Sequence, residues 1–158
     1  MAILKANAYG HGLAELVEPA ISAGVSYIGV ATLKEAITVR EQNKSVPILI
    51  LGYTPEHLFD VVVENKITQT IFDLDSAKKL NDISSLRGHK TNIHIKVDTG
   101  LHRLGFPDTS KSIDVFERFL FLKKILRQLQ HCPCEILSRH KPMPRLLPCP
   151  IDTQENRQ

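Results

Sequence analysis

A lysine that closes a short apolar run, followed at once by small residues, a tyrosine and glycines, is the densest site signal in this sequence. The segment reads Leu4-Lys5-Ala6-Asn7-Ala8-Tyr9-Gly10-His11-Gly12. An amine at the carboxyl end of a strand faces the mouth of the sheet, where α/β architectures bind their ligands. Burial at such a mouth prepares a lysine to form a Schiff base with a carbonyl compound. The glycines let the backbone turn tightly, and Tyr9 offers a hydroxyl one turn from the amine. Further along, Asp98 reads as a structural carboxylate at a strand end rather than as a base. His11, His94 and His102 lie in or beside these segments without metal-ligand spacing, so no metal site is expected. Cys132-Pro133-Cys134 has no second pair to complete a metal set, and three thiols do not suggest a disulfide framework.

The elements that must position Lys5 alternate regularly. Ala2-Ile3-Leu4 is a short apolar run. Leu13, Leu16, Val17, Ala20 and Ile21 form one stripe of a helix that Gly24 is placed to end. Tyr27 to Ala31 reads as a strand, and Thr32 with Glu35 makes a capping box for a helix reaching about Asn43. Pro47 to Leu51 is the next strand. Thr54-Pro55 is a helix-start signal, with Leu58, Phe59, Val62 and Val63 as the buried face. Thr68 to Phe72 is a strand, Asp73 or Asp75 caps a helix over Ala77 to Leu86, and Gly88 stops it. Ile93 to Val97 is a strand, and Pro107 opens a further helix reaching Phe116.

Five β/α units of this kind call for a parallel sheet with helices outside. A doubly wound sheet and a (β/α)8 barrel both satisfy the pattern. A complete barrel needs about 250 residues, so 158 residues supply only part of one.

Composition sets the class. A hydrophobic fraction of 42% and a charged fraction of 23% are those of an ordinary globular chain. The apolar runs fall far short of the roughly 20 residues that cross a bilayer, and Met1 is followed by no basic-then-apolar leader. A cytoplasmic location with no membrane partner is therefore expected. The net charge of +3 is unevenly spread. Residues 1–117 hold 12 lysines and arginines against 14 acidic residues, whereas residues 118–158 hold 8 against 3. The positive charge thus belongs to the tail, and nucleic-acid binding by the body gains nothing from it. The tail also carries all three cysteines and five of the nine prolines, with no periodicity, and reads as disordered or unpacked.

Leu4 to Gly12 resembles the cofactor-lysine motif of the alanine racemase family, V-K-A-N-A-Y-G-H-G. Lys96-Val97-Asp98-Thr99-Gly100-Leu101-His102-Arg103-Leu104-Gly105-Phe106 is similar to the same family's K-x-D-T-G-M-x-R-L-G motif, and Leu49 to Gly52 resembles the end of its third strand. The resemblance covers residues 1–117 and implies a partial (β/α)8 TIM-type barrel followed by a tail, 118–158, foreign to the family. It implies pyridoxal 5'-phosphate as cofactor, covalently held by Lys5, which would also act as one of two proton-transfer bases. It further implies Tyr9 on the cofactor phosphate, Arg103 near the cofactor's phenolic oxygen and Leu51 lining the pocket. Lys96 matches a position often carbamylated, which would turn a cation into an anion able to orient Arg103. The implied reaction is removal of the α-proton of a bound amino acid and its return to the opposite face, with the cofactor as electron sink.

The implied substrate is a small amino acid, alanine or within the same class serine, and the full-length family works as a homodimer. The family's later barrel strands and its C-terminal β domain, which supplies a tyrosine as second base to the neighbouring subunit, have no counterpart among these residues. The chain therefore reads as a fragment, with weak activity or none. A non-catalytic carrier of pyridoxal phosphate on the same barrel type is the competing reading, but such carriers generally lack the Asn-Ala-Tyr-Gly-His-Gly run.

Overall fold

A computed structural model of the chain describes residues 1–107. Strand β1 (Ala2–Ile3) leads into a single turn, α1 (Lys5–Tyr9), then α2 (Leu13–Ser22). The units β2 (Ile28–Val30) with α3 (Leu33–Gln42), β3 (Ile48–Ile50) with α4 (Phe59–Glu64), and β4 (Thr68–Ile71) with α5 (Leu74–Leu86) follow. Strand β5 (Ile93–Ile95) completes the main sheet, and β6 (Val97–Asp98) pairs with β7 (Phe106–Pro107) in a second, two-stranded sheet. The main sheet has the order β1-β2-β3-β4-β5, every pair parallel and every strand beside its sequence neighbour. No helix among the described residues is long and apolar enough to cross a membrane.

Alternation along each strand separates two faces. Ile28, Val30, Ile48, Ile50, Ile71 and Ile93 point to the helix side, where they join Val17, Val39, Phe59, Val62, Val63, Ala77 and Leu80 in one buried cluster. Each valine, leucine, isoleucine or phenylalanine among them contributes on the order of 1.5–3 kcal/mol on burial. The pairings Ile3 with Gly29, Gly29 with Leu49, Leu49 with Thr68 and Thr70 with His94 carry the other face. That face is more polar: the Tyr27 and Thr68 hydroxyls lie 2.6 Å apart, and the Tyr27 and His94 rings are 6.1 Å apart. Burial lowers the pKa of His94 from its usual value.

The local signals behave as the sequence implies where the signal is itself local. Thr32 accepts from the Glu35 amide while the Glu35 carboxylate accepts from the Thr32 amide, completing the capping box of α3. Asp73 caps α5 through the Ser76 amide at 2.7 Å. Gly24 and Gly88 follow their helices with φ of 89° and 65°, a region that costs glycine little.

Three expectations are corrected. Pro55 does not open an α-helix: its ψ of 138° is extended, and the Leu58 amide bonding to the Pro55 carbonyl closes a 3-10 turn (Glu56–Leu58) before α4 begins at Phe59. Thr54 is buried beneath this turn, and its hydroxyl has no hydrogen-bond partner. The strand expected over residues 93–97 is broken at Lys96, because the Lys96 amide bonds back to Ile71 of β4 while its carbonyl accepts from Phe106. That second bond also draws Pro107 into β7 rather than into a helix. The rest of that expected helix and the tail 118–158 lie outside the described residues.

Candidate active site

All five strands of the main sheet run the same way, so the residues that follow them gather on one rim. Lys5 follows β1, Leu51 follows β3 and Lys96 follows β5.

Lys5 opens a turn of the wrong hand for L-amino acids. Ala6, Asn7 and Ala8 have φ/ψ of 54/50°, 53/46° and 52/45°, and Tyr9 continues with φ of 54°. Left-handed helical backbone costs roughly 1–2 kcal/mol per non-glycine residue, and strain of this kind persists only where the surroundings over-determine it. Here the surroundings are explicit. The Ala8 amide bonds to the Leu4 carbonyl at 2.9 Å, and Gly10 closes the turn on the Ala6 and Asn7 carbonyls. The Asn7 carboxamide oxygen accepts from the Leu13 amide at 2.8 Å, capping α2, whose own N-cap residue, Gly12, has no side chain to do so. Ala8 and Leu4 are buried in the core cluster. The first amide of the turn, Ala6, donates to the Glu35 carboxylate at 2.7 Å.

The turn holds Lys5 half-buried, with no hydrogen bond or ion pair to its amine among the described residues. Tyr9 emerges at the far end of the turn, 62% exposed. Leu51 is half-buried beside β2: its amide bonds to the Val30 carbonyl, and its Cδ1 lies 3.6 Å from where a side-chain carbon at Gly29 would stand. A side chain at Gly29 would also meet Ile3 Cδ1 at 2.6 Å, so its absence lets Ile3 and Leu51 converge below the rim.

The loop from Asp98 to Gly105 presents Arg103, which is exposed. Asp98 organises this loop: one carboxylate oxygen accepts from the Gly100 and His102 amides at 3.0 and 3.1 Å, the other from the Arg103 amide at 3.1 Å. Desolvation pushes the Asp98 carboxyl up, but the backbone donors of Gly100, His102, Leu101 and Arg103 together outweigh it and leave its pKa below the usual value. A carboxyl with a depressed folded-state pKa contributes above its unfolded pKa, and its contribution is lost as the pH falls through the folded one. The amide resonances of Gly100, His102 and Arg103 are therefore expected to hold steady from neutral pH to below about pH 4, the ordinary aspartate value, and to move only in stronger acid. Asp98→Asn should displace all three at neutral pH; unmoved resonances in that variant would refute the clamp.

The structure thus brings Lys5, Leu51 and Lys96 to one rim. Among the described residues, no hydrogen bond or ion pair joins the side chains of Lys5, Tyr9, Leu51, Lys96 and Arg103 to one another. The positions of Asn7 and of the Glu35–Ala6 bond were not foreseeable from spacing. Only the capping box announced Glu35, and nothing announced its second partner. No group of three histidine, cysteine or acidic side chains able to hold a metal occurs among the described residues.

The five-stranded parallel sheet, with helices following its strands and Lys5 placed after β1 at its carboxyl-end rim, is an α/β architecture of the kind that binds ligands at that rim. Residues 1–136 match the family "Alanine racemase, N-terminal domain", and the chain belongs to that family. It is 44% identical over 108 residues to alanine racemase 2 of Caldanaerobacter subterraneus subsp. tengcongensis, a match covering 68% of this chain and 28% of the relative. The solved alanine racemase of Clostridium difficile 630 superposes with a TM-score of 0.73 at 37% identity, over 79% of this chain and 32% of that one. A histidine racemase from Leuconostoc mesenteroides subsp. sake gives 0.70 at 33% identity, over 79% and 33%. The chain therefore spans about a third of the length of the relatives it matches. The fold is that of the family's N-terminal barrel, represented here by five parallel strands. Alanine racemases are isomerases that depend on pyridoxal 5'-phosphate.

Proposed function

We propose that this chain is the cofactor-lysine portion of a racemase that interconverts L- and D-alanine and so feeds cell-wall precursor synthesis. In this reading Lys5 holds pyridoxal 5'-phosphate covalently, Tyr9 binds its phosphate, Leu51 lines its pocket and Arg103 sits near its phenolic oxygen. Bound there, the cofactor would serve as the electron sink for a carbanion at the amino acid's α-carbon. The single observation that carries the reading is Lys5, a half-buried residue whose amine makes no hydrogen bond or ion pair among the described residues, held by a strained turn at the carboxyl end of β1. The donor set fits the cofactor: an amine for its aldehyde, an exposed hydroxyl for its phosphate and an exposed guanidinium for its phenolate.

The Lys5 amine would serve as the acid-base group on one face of the amino acid's α-carbon, and a second group, outside the residues described here, would have to exchange the proton on the opposite face. Lys96, in the carbamylated form, would present an anion to the Arg103 guanidinium. Alanine is the favoured substrate because the matched relatives and the Clostridium difficile structure are alanine racemases. The similarity to a histidine racemase indicates that the elements described here suit more than one amino-acid side chain.

Borohydride reduction after mixing the protein with pyridoxal phosphate, followed by peptide mapping, tests this directly. The label is expected on Lys5 ahead of the other lysines, with the matching visible absorbance lost in Lys5→Ala. Conversion of L- to D-alanine is expected to be slower than in a complete racemase by about 10²–10⁴-fold, the contribution of one general base. Labelling spread evenly over surface lysines would sink the proposal.

A further inference from the structure

We infer that Glu35 is a positioning residue for Lys5, an assignment that rests on the proposed role of that lysine. In an ordinary capping box the carboxylate of the third helical residue serves only the N-cap amide behind it. The Glu35 side chain does more. Its Oε2 accepts from the Ala31 amide at 2.8 Å and the Thr32 amide at 3.2 Å, where the chain leaves β2. Its Oε1 reaches 29 residues back along the chain and accepts from the Ala6 amide at 2.7 Å. Ala6 is the first left-handed residue of the turn and the one bonded directly to Lys5.

One carboxylate therefore ties the exit of β1 to the exit of β2, and it does so at the peptide that sets where the Lys5 side chain starts. The bonds are charge-assisted, the stronger class of hydrogen bond. They act on a backbone that would otherwise relax to right-handed geometry. Neither Lys5 nor Glu35 touches the other's side chain by hydrogen bond or ion pair, so the influence passes through the backbone rather than through charge pairing.

A two-oxygen clamp predicts a graded response. Glu35→Gln keeps one acceptor and must turn an N–H₂ towards either Ala6 or the Ala31–Thr32 pair, whereas Glu35→Ala removes both. Thr32→Ala removes the capping hydroxyl of α3 and leaves the Glu35–Ala6 bond in place, so it measures the cost of a weakened helix start alone. The probe is pyridoxal 5'-phosphate, read by borohydride trapping on Lys5, by the visible absorbance of the lysine-bound form and by its pH profile.

Glu35→Ala is expected to weaken trapping at Lys5 about tenfold, the worth of one hydrogen bond to a charged group, and to shift the pH profile. Glu35→Gln should lie between it and the parent. Thr32→Ala should trap like the parent despite a lower melting temperature. Unchanged trapping in Glu35→Ala, or an equal loss in Thr32→Ala, overturns the inference while leaving Lys5 as the cofactor residue. Failure of the parent protein to trap at Lys5 brings down the proposed function and this inference with it.

Discussion

Replacing Arg40 with alanine is expected to lower the unfolding free energy by about 3–4 kcal/mol, the largest stability effect of any single polar residue described here. Arg40 is 9% exposed, near the end of α3, and it has no carboxylate partner. Its guanidinium instead donates to four carbonyls: Nε to Asn65 at 3.0 Å, Nη1 to Val46 at 2.9 Å and Asn43 at 3.3 Å, and Nη2 to Lys66 at 3.3 Å. These carbonyls belong to the segment entering β3 and to the turn between α4 and β4. One side chain thus fastens two successive β/α units together.

Burial pulls the arginine pKa down from its usual value, yet a guanidinium stays protonated throughout the range in which proteins fold. Removing it strands the Val46 carbonyl, whose bond is buried, and loosens three others that water reaches in part. A urea midpoint lower by roughly 1–4 M follows from a typical dependence of 1–3 kcal/mol per molar. Arg40→Lys should recover less than half, because an ammonium cannot span the fork. A midpoint within about 0.3 M of the parent would show that the four bonds add nothing net.

Gly105→Ala should have the second large effect, confined to the Arg103 loop. Gly105 has φ of 151°, and a side-chain carbon there would stand 2.4 Å from the Asp98 amide nitrogen and 2.7 Å from the Val97 carbonyl carbon. Both are backbone atoms, so no rotamer change relieves the clash. The backbone strain alone costs about 1–3 kcal/mol, more than a two-stranded sheet of four residues can absorb. The Phe106–Lys96 bond of 2.8 Å should open, raising amide exchange at Phe106 and releasing Arg103, while the protection of β1 to β4 is kept. Uniform loss of protection across the main sheet, or none at Phe106, would contradict this.

These residues also mark what a sequence reader sees and what escapes. The helix start at Thr32 and the stops at Gly24 and Gly88 were legible because each is decided within four residues of itself, whereas the next start was narrowed only to Asp73 or Asp75 and falls at Asp73. The family motif around Lys5 was legible as a string, and so was the parallel β/α order. The left-handed turn was not, since alanine and tyrosine favour right-handed backbone and asparagine enters the left-handed region only as a single residue. Only contacts from Glu35, Leu13 and the core reverse that preference. Pro55 and Pro107 misled for a related reason: the start signal is local, but distant bonds decided where the chain went. Lys96 looked like mid-strand and is instead the point where the chain passes between two sheets.

The strand order has a consequence for synthesis. Because each strand lies against the one made just before it, every unit emerging from a ribosome meets a docking edge that already exists. Each parallel pairing must nevertheless close over a full helix and its loops, which makes this assembly slower than that of a hairpin. Within that order β1 and β5 each have a strand on one side only, so the main sheet offers pairing positions at both of its edges.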